Sequence, residues 1–229
     1  MTSAWNRATI RENKLITPGL HQLTLEVPPA VAQAFQAPGQ YHRVRVGADA
    51  AYFAMASSPG SSRFEYLVRT VGDTAEAWTK QAPGATVEVS TPEGPGFPLA
   101  ASRGKSLLLI GTGTGFAPLW SVLREVRRER SAFQHVHALY GAGDESHLVW
   151  RDELDGMKRD DIIVEPVLEH PHDDWDGRVG RVQTHLDDLP VHDAVAFLCG
   201  HSAMISDVRQ LLAKRGLPTS STFLNTPEG

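Results

Sequence analysis

The sequence predicts an antiparallel β-barrel over residues 1–100, followed by a parallel-sheet α/β domain over residues 101–229. Three observations carry that expectation. The first hundred residues hold short runs of alternating polarity separated by Pro-Gly turns. A Pro- and Gly-rich stretch, TPEGPGFPLAASRGK at 91–105, then interrupts the pattern. Beyond it, apolar strand-like runs alternate with segments of helical period, which implies βαβ units.

The strands of the first half follow in order. RATIRENKLI (7–16) opens the set, and HQLTLEV (21–27) alternates cleanly: Leu23, Leu25 and Val27 on one face, Gln22, Thr24 and Glu26 on the other. That two-residue period is the mark of a half-buried strand. QYHRVRV (40–46), AYFAMAS (51–57), RFEYLVR (63–69) and TVEVS (86–90) are similar in length. Pro18-Gly19, Pro38-Gly39, Pro59-Gly60 and Pro83-Gly84 mark turns. One helical piece, TAEAWTKQA (74–82), interrupts the strands. Six short strands at this spacing point to a small barrel.

In the second half the strand candidates are 106–110, 135–140, 161–168, 194–199 and 221–224. Leu119, Val122, Leu123 and Val126 form a stripe at helical spacing in 117–130. Met204, Val208, Leu211 and Leu212 form another in 202–215. At 229 residues the chain is long enough to bury a sizeable core.

A net charge of −5 gives no general attraction to nucleic acid or to an anionic membrane, and neither is expected as a partner. No run of about 18 apolar residues predicts a membrane span. The first residues, MTSAWNRATIRENK, lack the apolar centre of a signal peptide, so a cytoplasmic location is expected. A single cysteine can neither form an internal disulfide nor alone hold an iron–sulfur cluster.

Between an oily run, SLLLI, and an amphipathic one lies GTGTGFAPLW, 111–120. Small residues at a strand-to-helix turn let backbone N–H groups approach a phosphate, and the helix dipole favours its charge. Pro118 suits the first turn, where its missing N–H is unpaired in any case. The segment is not a P-loop, because no Gly-Lys-Ser/Thr ends it, and Phe116 stands where a third fingerprint glycine would be. By itself the loop fits a phosphate cradle or a ligand-free tight turn. AFLCGHSAM, 196–204, ends another apolar strand at Cys199, with Gly200 opening the next helix. Ligand crevices of open α/β sheets lie beyond the carboxyl ends of strands, which would bring the two loops together. Cys199 alone reads equally as a small buried apolar residue.

With both motifs in hand, the chain resembles the ferredoxin-NADP reductase-like flavoprotein family from about residue 5 to about residue 215. GTGTGFAPLWSVL is similar to that family's nicotinamide-dinucleotide loop, LYGAGDESHLVWRDEL to its next strand and helix, and FLCGHSAM to its Cys-Gly-x-x-x-Met motif. GQY, AYFAMASSP, EYLVRTVGDTAEAW and PEGPGF are similar to its FAD-holding barrel.

The resemblance implies that NAD(P)H gives a hydride to FAD, and that electrons then pass to an acceptor. It implies Thr114 and Cys199 beside the nicotinamide, with Gly111, Thr112, Gly113, Gly115 and Gly200 forming the dinucleotide site. It places Phe53 on the isoalloxazine, with Ala54, Met55, Ala56 and Ser57 following along the flavin strand. Val68, Arg69, Thr74 and Ala75 would bracket the ribityl and pyrophosphate of FAD. With no iron–sulfur domain of its own in view, the chain is expected to use a separate electron acceptor, which the sequence does not identify. Asp144 and Glu145 after the second strand favour NADH, since a carboxylate accepts from a ribose hydroxyl and repels a 2′-phosphate.

The chain departs from the family's Arg-x-Tyr-Ser flavin motif, having Ala51, Tyr52, Phe53 and Ala54 there. Arg69, or else Arg43 or Arg45, is then expected to meet the pyrophosphate, with Thr74 capping a helix over 75–82. The same loss supports an alternative, a nucleotide-binding regulatory or electron-transfer subunit that keeps the fold but turns over slowly or not at all. The terminal STFLNTPEG has no closing aromatic residue; Phe223 is a stand-in or a buried strand residue. EHPHDDWDG (169–177) fits no metal-ligand spacing and reads as a solvated loop, so no metal is expected. RRER (127–130) reads as an exposed helix face, with docking of an acidic partner as the alternative.

Overall fold

The computed structural model describes residues 5–225. The described residues form twelve strands, in two six-stranded sheets, and five α-helices. The first sheet holds β1 (Asn6–Thr17), β2 (Leu20–Glu26), β3 (Tyr41–Val46), β4 (Asp49–Ala54), β5 (Arg63–Arg69) and β6 (Thr86–Val89), all antiparallel, in the order β4-β3-β6-β1-β2-β5. It curls into a nearly closed barrel around Ile10, Leu23, Leu25, Val44, Phe64, Tyr66 and Val89, each fully buried. The alternation read in 21–27 gives β2, although Thr24 on its polar face is also buried.

Two helices close the barrel. α1 (Pro29–Ala34) has no counterpart in the sequence reading. Pro29 starts it, as suits the first helical position, and Val31 and Phe35 reach inward, Phe35 lying edge-on to Phe64 at 5.4 Å. α2 spans Asp73–Thr79, not 75–82. Its cap is Gly72, at φ 86°, a left-handed value that suits glycine. Thr74 therefore does not cap the helix. It sits inside the first turn, buried beside Ala75, and the exposed first-turn side chains are Asp73 and Glu76.

The second sheet is parallel throughout, in the order β10-β9-β8-β7-β11-β12. Its strands are β7 (Ser106–Thr112), β8 (Val136–Ala142), β9 (Ile163–Leu168), β10 (Arg178–Val179), β11 (Ala194–Cys199) and β12 (Thr222–Leu224). β10 is too short for any periodicity to announce it. α3 (Phe116–Arg128), α4 (Arg151–Arg159) and α5 (Ser202–Lys214) cover the sheet. The chain leaves β7 toward β8 on one side and returns through β11 on the other. Strand order thus reverses at β7, and its carboxyl end is the topological switch point where such sheets bind ligands.

α3 holds the two lobes together. Its stripe of Leu119, Val122, Leu123 and Val126 is fully buried against the sheet, and truncating one of these leucines to alanine would cost about 2–5 kcal/mol. Ala117, Pro118 and Ser121 are buried as well, so the helix is covered all round over its first two turns. Arg127 and Arg128 end it, favourably placed for the helix dipole. Leu20, Ala56 and Leu67 of the barrel join the same apolar cluster, as does Phe97 of the connecting stretch, stacked on Phe197 at 4.7 Å.

Candidate nucleotide and flavin site

Three loops meet at the carboxyl ends of β7, β8 and β11, and glycine lets them meet. A Cβ on Gly115 would fall 2.6 Å from Gly200 Cα. One on Gly200, at φ +147°, would fall 2.5 Å from Thr112 Oγ1, and one on Gly141 2.7 Å from Thr112 Cγ2. The Gly200 backbone cannot yield to a contact this short, and the Thr112 side chain is too short to swing clear of the other two. Gly113 differs: it has open space around it and φ +54°, so it serves the turn itself.

In front of these loops lies a crevice of about 1050 Å³, the upper end of the range for ligand pockets. Thr112, Gly113, Thr114, Gly115, Cys199 and Gly200 line its floor. The barrel supplies one wall through Pro18, Gly19, Leu20, Arg69, Thr70 and Val71. His147, Glu169, His170, Arg181 and Asp207 stand on the other side. Gly111 is brought to the same place but does not line the crevice. It lies below, where a Cβ would sit 2.6 Å from Leu119 Cδ1 and 2.9 Å from the Cys199 carbonyl oxygen.

Burial pushes the Cys199 thiol up to about 12, so the sulfur stays protonated at neutral pH. It is no thiolate nucleophile there, and its contribution is shape and weak polarisation. The Asn225 side chain lies against it. Asp144 is turned into its own loop: Oδ1 accepts from Ser146 N at 2.9 Å, Ser146 Oγ at 2.6 Å and His147 Nδ1 at 2.8 Å. The hydrogen bonds from Ser146 and His147 hold its pKa down at about 2. The carboxylate expected to meet a ribose is thus absent from the crevice lining, and Glu169 at the end of β9 stands there instead. Its Oε2 lies 3.6 Å from Arg181 Nε.

On the barrel side, Phe53 is partly buried at the edge strand β4, edge-on to Trp78 at 4.7 Å. Ala54 ends the strand. Met55 and Ala56 are fully buried, and Ser57 is engaged internally: its Oγ accepts from Glu65 N at 3.3 Å and its carbonyl from Ser121 Oγ at 2.6 Å. Val68 belongs to the barrel core. Arg45 is committed to Glu88 at 2.6 Å, and both Arg43 and Arg45 lie over the Trp5 ring. Arg69 faces the crevice and, among the described residues, makes no ion pair or hydrogen bond through its side chain.

Other expectations resolve plainly. Arg127, Arg128 and Arg130 are each paired with a carboxylate, Asp160, Glu125 and Asp161. In the loop after β9, His172 and Asp174 come within 4.8 Å of Glu145, which already accepts from the His172 backbone N–H at 2.9 Å. Phe223 is partly buried in β12, edge-on to Phe197. Among the described residues no helix is long and apolar enough to cross a membrane. Sequence reasoning missed Ser121 and Arg124, whose contacts appear only once the barrel lies against α3, and Gly141, for which YGAG after an apolar strand is a readable signal.

The fold has counterparts among known proteins. Residues 109–210 match the family model described as an oxidoreductase NAD-binding domain. The chain is 36% identical over 177 residues to ferredoxin–NADP reductase B of Sorangium cellulosum, covering 69% of this chain and 70% of that one. It spans 54–66% of the length of seven further curated relatives. A ferredoxin NADP+ reductase from Neisseria gonorrhoeae, solved with FAD and NADP, shares the fold with a TM-score of 0.82 at 20% identity, covering 96% of this chain and 97% of that one. The ferredoxin reductase in carbazole 1,9a-dioxygenase does so with a TM-score of 0.83 at 19% identity, covering 99% and 70%.

Proposed function

This chain belongs to the FAD/NAD(P)-binding oxidoreductases of the ferredoxin-NADP reductase/cytochrome b5 reductase superfamily, and on that premise we propose that it prefers NADH and hands electrons to a separate acceptor protein. The bound cofactors supply hydride transfer from NAD(P)H to FAD and onward electron transfer to a partner. The protein's part is to bind, orient and exclude water.

The glycine-lined floor fits a dinucleotide, because the closely packed loops turn bare backbone to the crevice and Gly113 has open space beside it, where a phosphate or ribose can approach. In this reading Gly113, Thr114 and Gly115 hold the pyrophosphate and nicotinamide ribose, and Cys199 with Gly200 packs beside the nicotinamide ring. Its neutral thiol then holds the reacting carbon in place without adding charge. Phe53 covers one face of the flavin, and Arg69 meets the FAD pyrophosphate in place of the cation absent at residue 51. That Arg69 has no competing ion pair with a described residue supports its assignment, because its charge remains available. The α2 N-terminus is not part of this proposal: Asp73 and Glu76 in its first turn would repel a phosphate.

Glu169 carries the preference for NADH. It lines the crevice and offsets Arg181 on the same wall, while Asp144 stays anionic in the adjacent loop. A 2′-phosphate brought there meets carboxylates. Steady-state kinetics with both nucleotides tests this: kcat/KM is expected to be higher for NADH, and a higher value for NADPH overturns it.

A further inference from the structure

We infer that Ser121 and Arg124 of α3 are positioning residues: they latch the dinucleotide loop to the flavin strand and set the gap across which hydride passes. The inference rests on the reading that Phe53 faces the flavin and that Thr114 and Cys199 face the nicotinamide. α3 begins at the glycine loop, with Gly115 as its N-cap. Six residues on, about 9 Å along a helix rising 1.5 Å per residue, Ser121 Oγ donates to the Ser57 carbonyl at 2.6 Å. One turn later, on the same face, Arg124 Nη1 donates to the Ala56 carbonyl at 3.2 Å and pairs with Glu65 of β5 at 2.9 Å. Its Nη2 reaches Glu153 of α4 at 3.5 Å.

The gripped carbonyls lie three and four residues beyond Phe53. They are held from the other side too, since Ala56 N donates to the Glu65 carbonyl at 2.8 Å and Ser57 Oγ accepts from Glu65 N. A short, rigid route from one cofactor to the other therefore runs Gly115, α3, Ser121, Ser57, Phe53. Among the described residues the remainder of this seam is apolar, Leu20, Ala56 and Leu67 against the α3 cluster, apart from one exposed hydrogen bond from Ser146 Oγ to Thr17 Oγ1 at 3.2 Å. Apolar burial is not directional and leaves the lobes free to slide by fractions of an ångström. Hydrogen bonds from a buried serine and a half-buried guanidinium fork fix the register. Hydride transfer is sensitive to such register, because the reacting atoms must approach to about 3–3.5 Å and an error of about 1 Å costs on the order of a hundredfold.

The test uses FAD-loaded protein carrying Ser121→Ala, Arg124→Gln, both together, or Arg124→Lys. Stopped-flow reduction by NADH gives the hydride-transfer rate. The long-wavelength absorbance of nicotinamide stacked on flavin reports the gap. The double variant is expected to keep its FAD content and its NAD+ affinity within about twofold, to transfer hydride about tenfold more slowly or worse, and to lose intensity in that band. Arg124→Lys keeps the charge between Glu65 and Glu153 and is expected to fall between. A double variant with the parent's rate and band overturns the inference. So does a loss of rate that merely follows lost FAD or lost NAD+ affinity.

A second measurement, on apoprotein, is independent of the flavin reading. Hydrogen exchange in urea, followed on peptides from β5 and from α3, is expected to give one midpoint for the parent and two for the double variant. Coincident midpoints in both, or separate midpoints in the parent, contradict the latch even if the parent binds no flavin at all.

Discussion

At the head of β7 the chain brings elements together by removing side chains: Gly115 lies on Gly200, and Gly200 and Gly141 both lie on Thr112. Along β4, at the edge of the barrel, the opposite holds. Ala51 and Ala54 supply neither a cation nor a hydroxyl at their two positions, and the nearby cations belong to other strands, with Arg45 already paired and Arg69 facing the crevice. The α/β lobe thus prepares its ligand surface from backbone, which the sequence writes locally as glycine. The barrel depends on side chains that arrive from elsewhere in the sheet. A backbone-built surface has no tolerance for added atoms, whereas one built from side chains can shift its charge from one strand to another.

The largest effect that separates the two lobes is expected from Gly115→Val. Its side chain would drive into the Gly200 backbone, where nothing can move aside, and the strain should cost about 2–4 kcal/mol and abolish NADH-dependent flavin reduction. FAD content should be retained. Loss of FAD together with NADH binding would mean that the two surfaces are not separate.

The barrel carries its own signature, in acid. His42 is fully buried, and burial lowers its pKa to about 4 from 6.5. The Ser90 carbonyl at 3.2 Å can only accept, so Nδ1 carries the proton and Nε2 accepts from the Tyr66 hydroxyl at 2.7 Å. Between pH 6.5 and 4 the unfolded chain binds the proton that the folded barrel refuses. Stability is therefore expected to fall as pH drops through that window, by about 3 kcal/mol for this group at about 1.4 kcal/mol per unit. Urea unfolding at several pH values should show the slope in the parent and a flatter one in His42→Gln. Equal slopes would assign the acid sensitivity elsewhere.

Arg69→Ala sharpens the comparison on the cofactor side. Losing one charge-assisted hydrogen bond should weaken FAD binding by about 1.5–3 kcal/mol, read by titrating apoprotein, with NAD+ affinity little changed. Unchanged FAD affinity would remove Arg69 from the flavin site.

The smallest effect belongs to Cys199→Ser. A neutral thiol acts by packing, so the change should slow hydride transfer about tenfold while FAD content and folding persist. Stopped-flow reduction at the parent's rate would make Cys199 part of the core alone.

Much of this architecture is legible in the sequence, for identifiable reasons. Alternation in HQLTLEV and the apolar stripe of α3 are local consequences of burying one face, and the structure builds β2 and α3 on them. α1 is not legible: six residues that begin with one proline and follow another carry too little period to distinguish a helix from a turn. The α2 boundary is misplaced because Thr74 looks like a cap, whereas the left-handed Gly72 takes that position. In the site, GTGTG and Cys199-Gly200 declare themselves because close backbone approach demands glycine at fixed places. Asp144 misleads: its type suits a ribose, but Ser146 and His147, two and three residues on, claim its carboxylate first. Ser121 and Arg124 look like ordinary polar positions on an amphipathic helix. Only the barrel, brought against α3 by contacts more than sixty residues away in the chain, makes them interior.

The central claim is that nicotinamide on the glycine-built surface reduces flavin on the barrel across the seam between them. Anaerobic mixing of purified, FAD-loaded protein with NADH, followed at the flavin's visible band, tests it most directly. The account predicts a yellow protein that bleaches in one turnover, faster with NADH than with NADPH. A protein that takes up no FAD, or that takes it up and stays yellow under excess NADH, contradicts it.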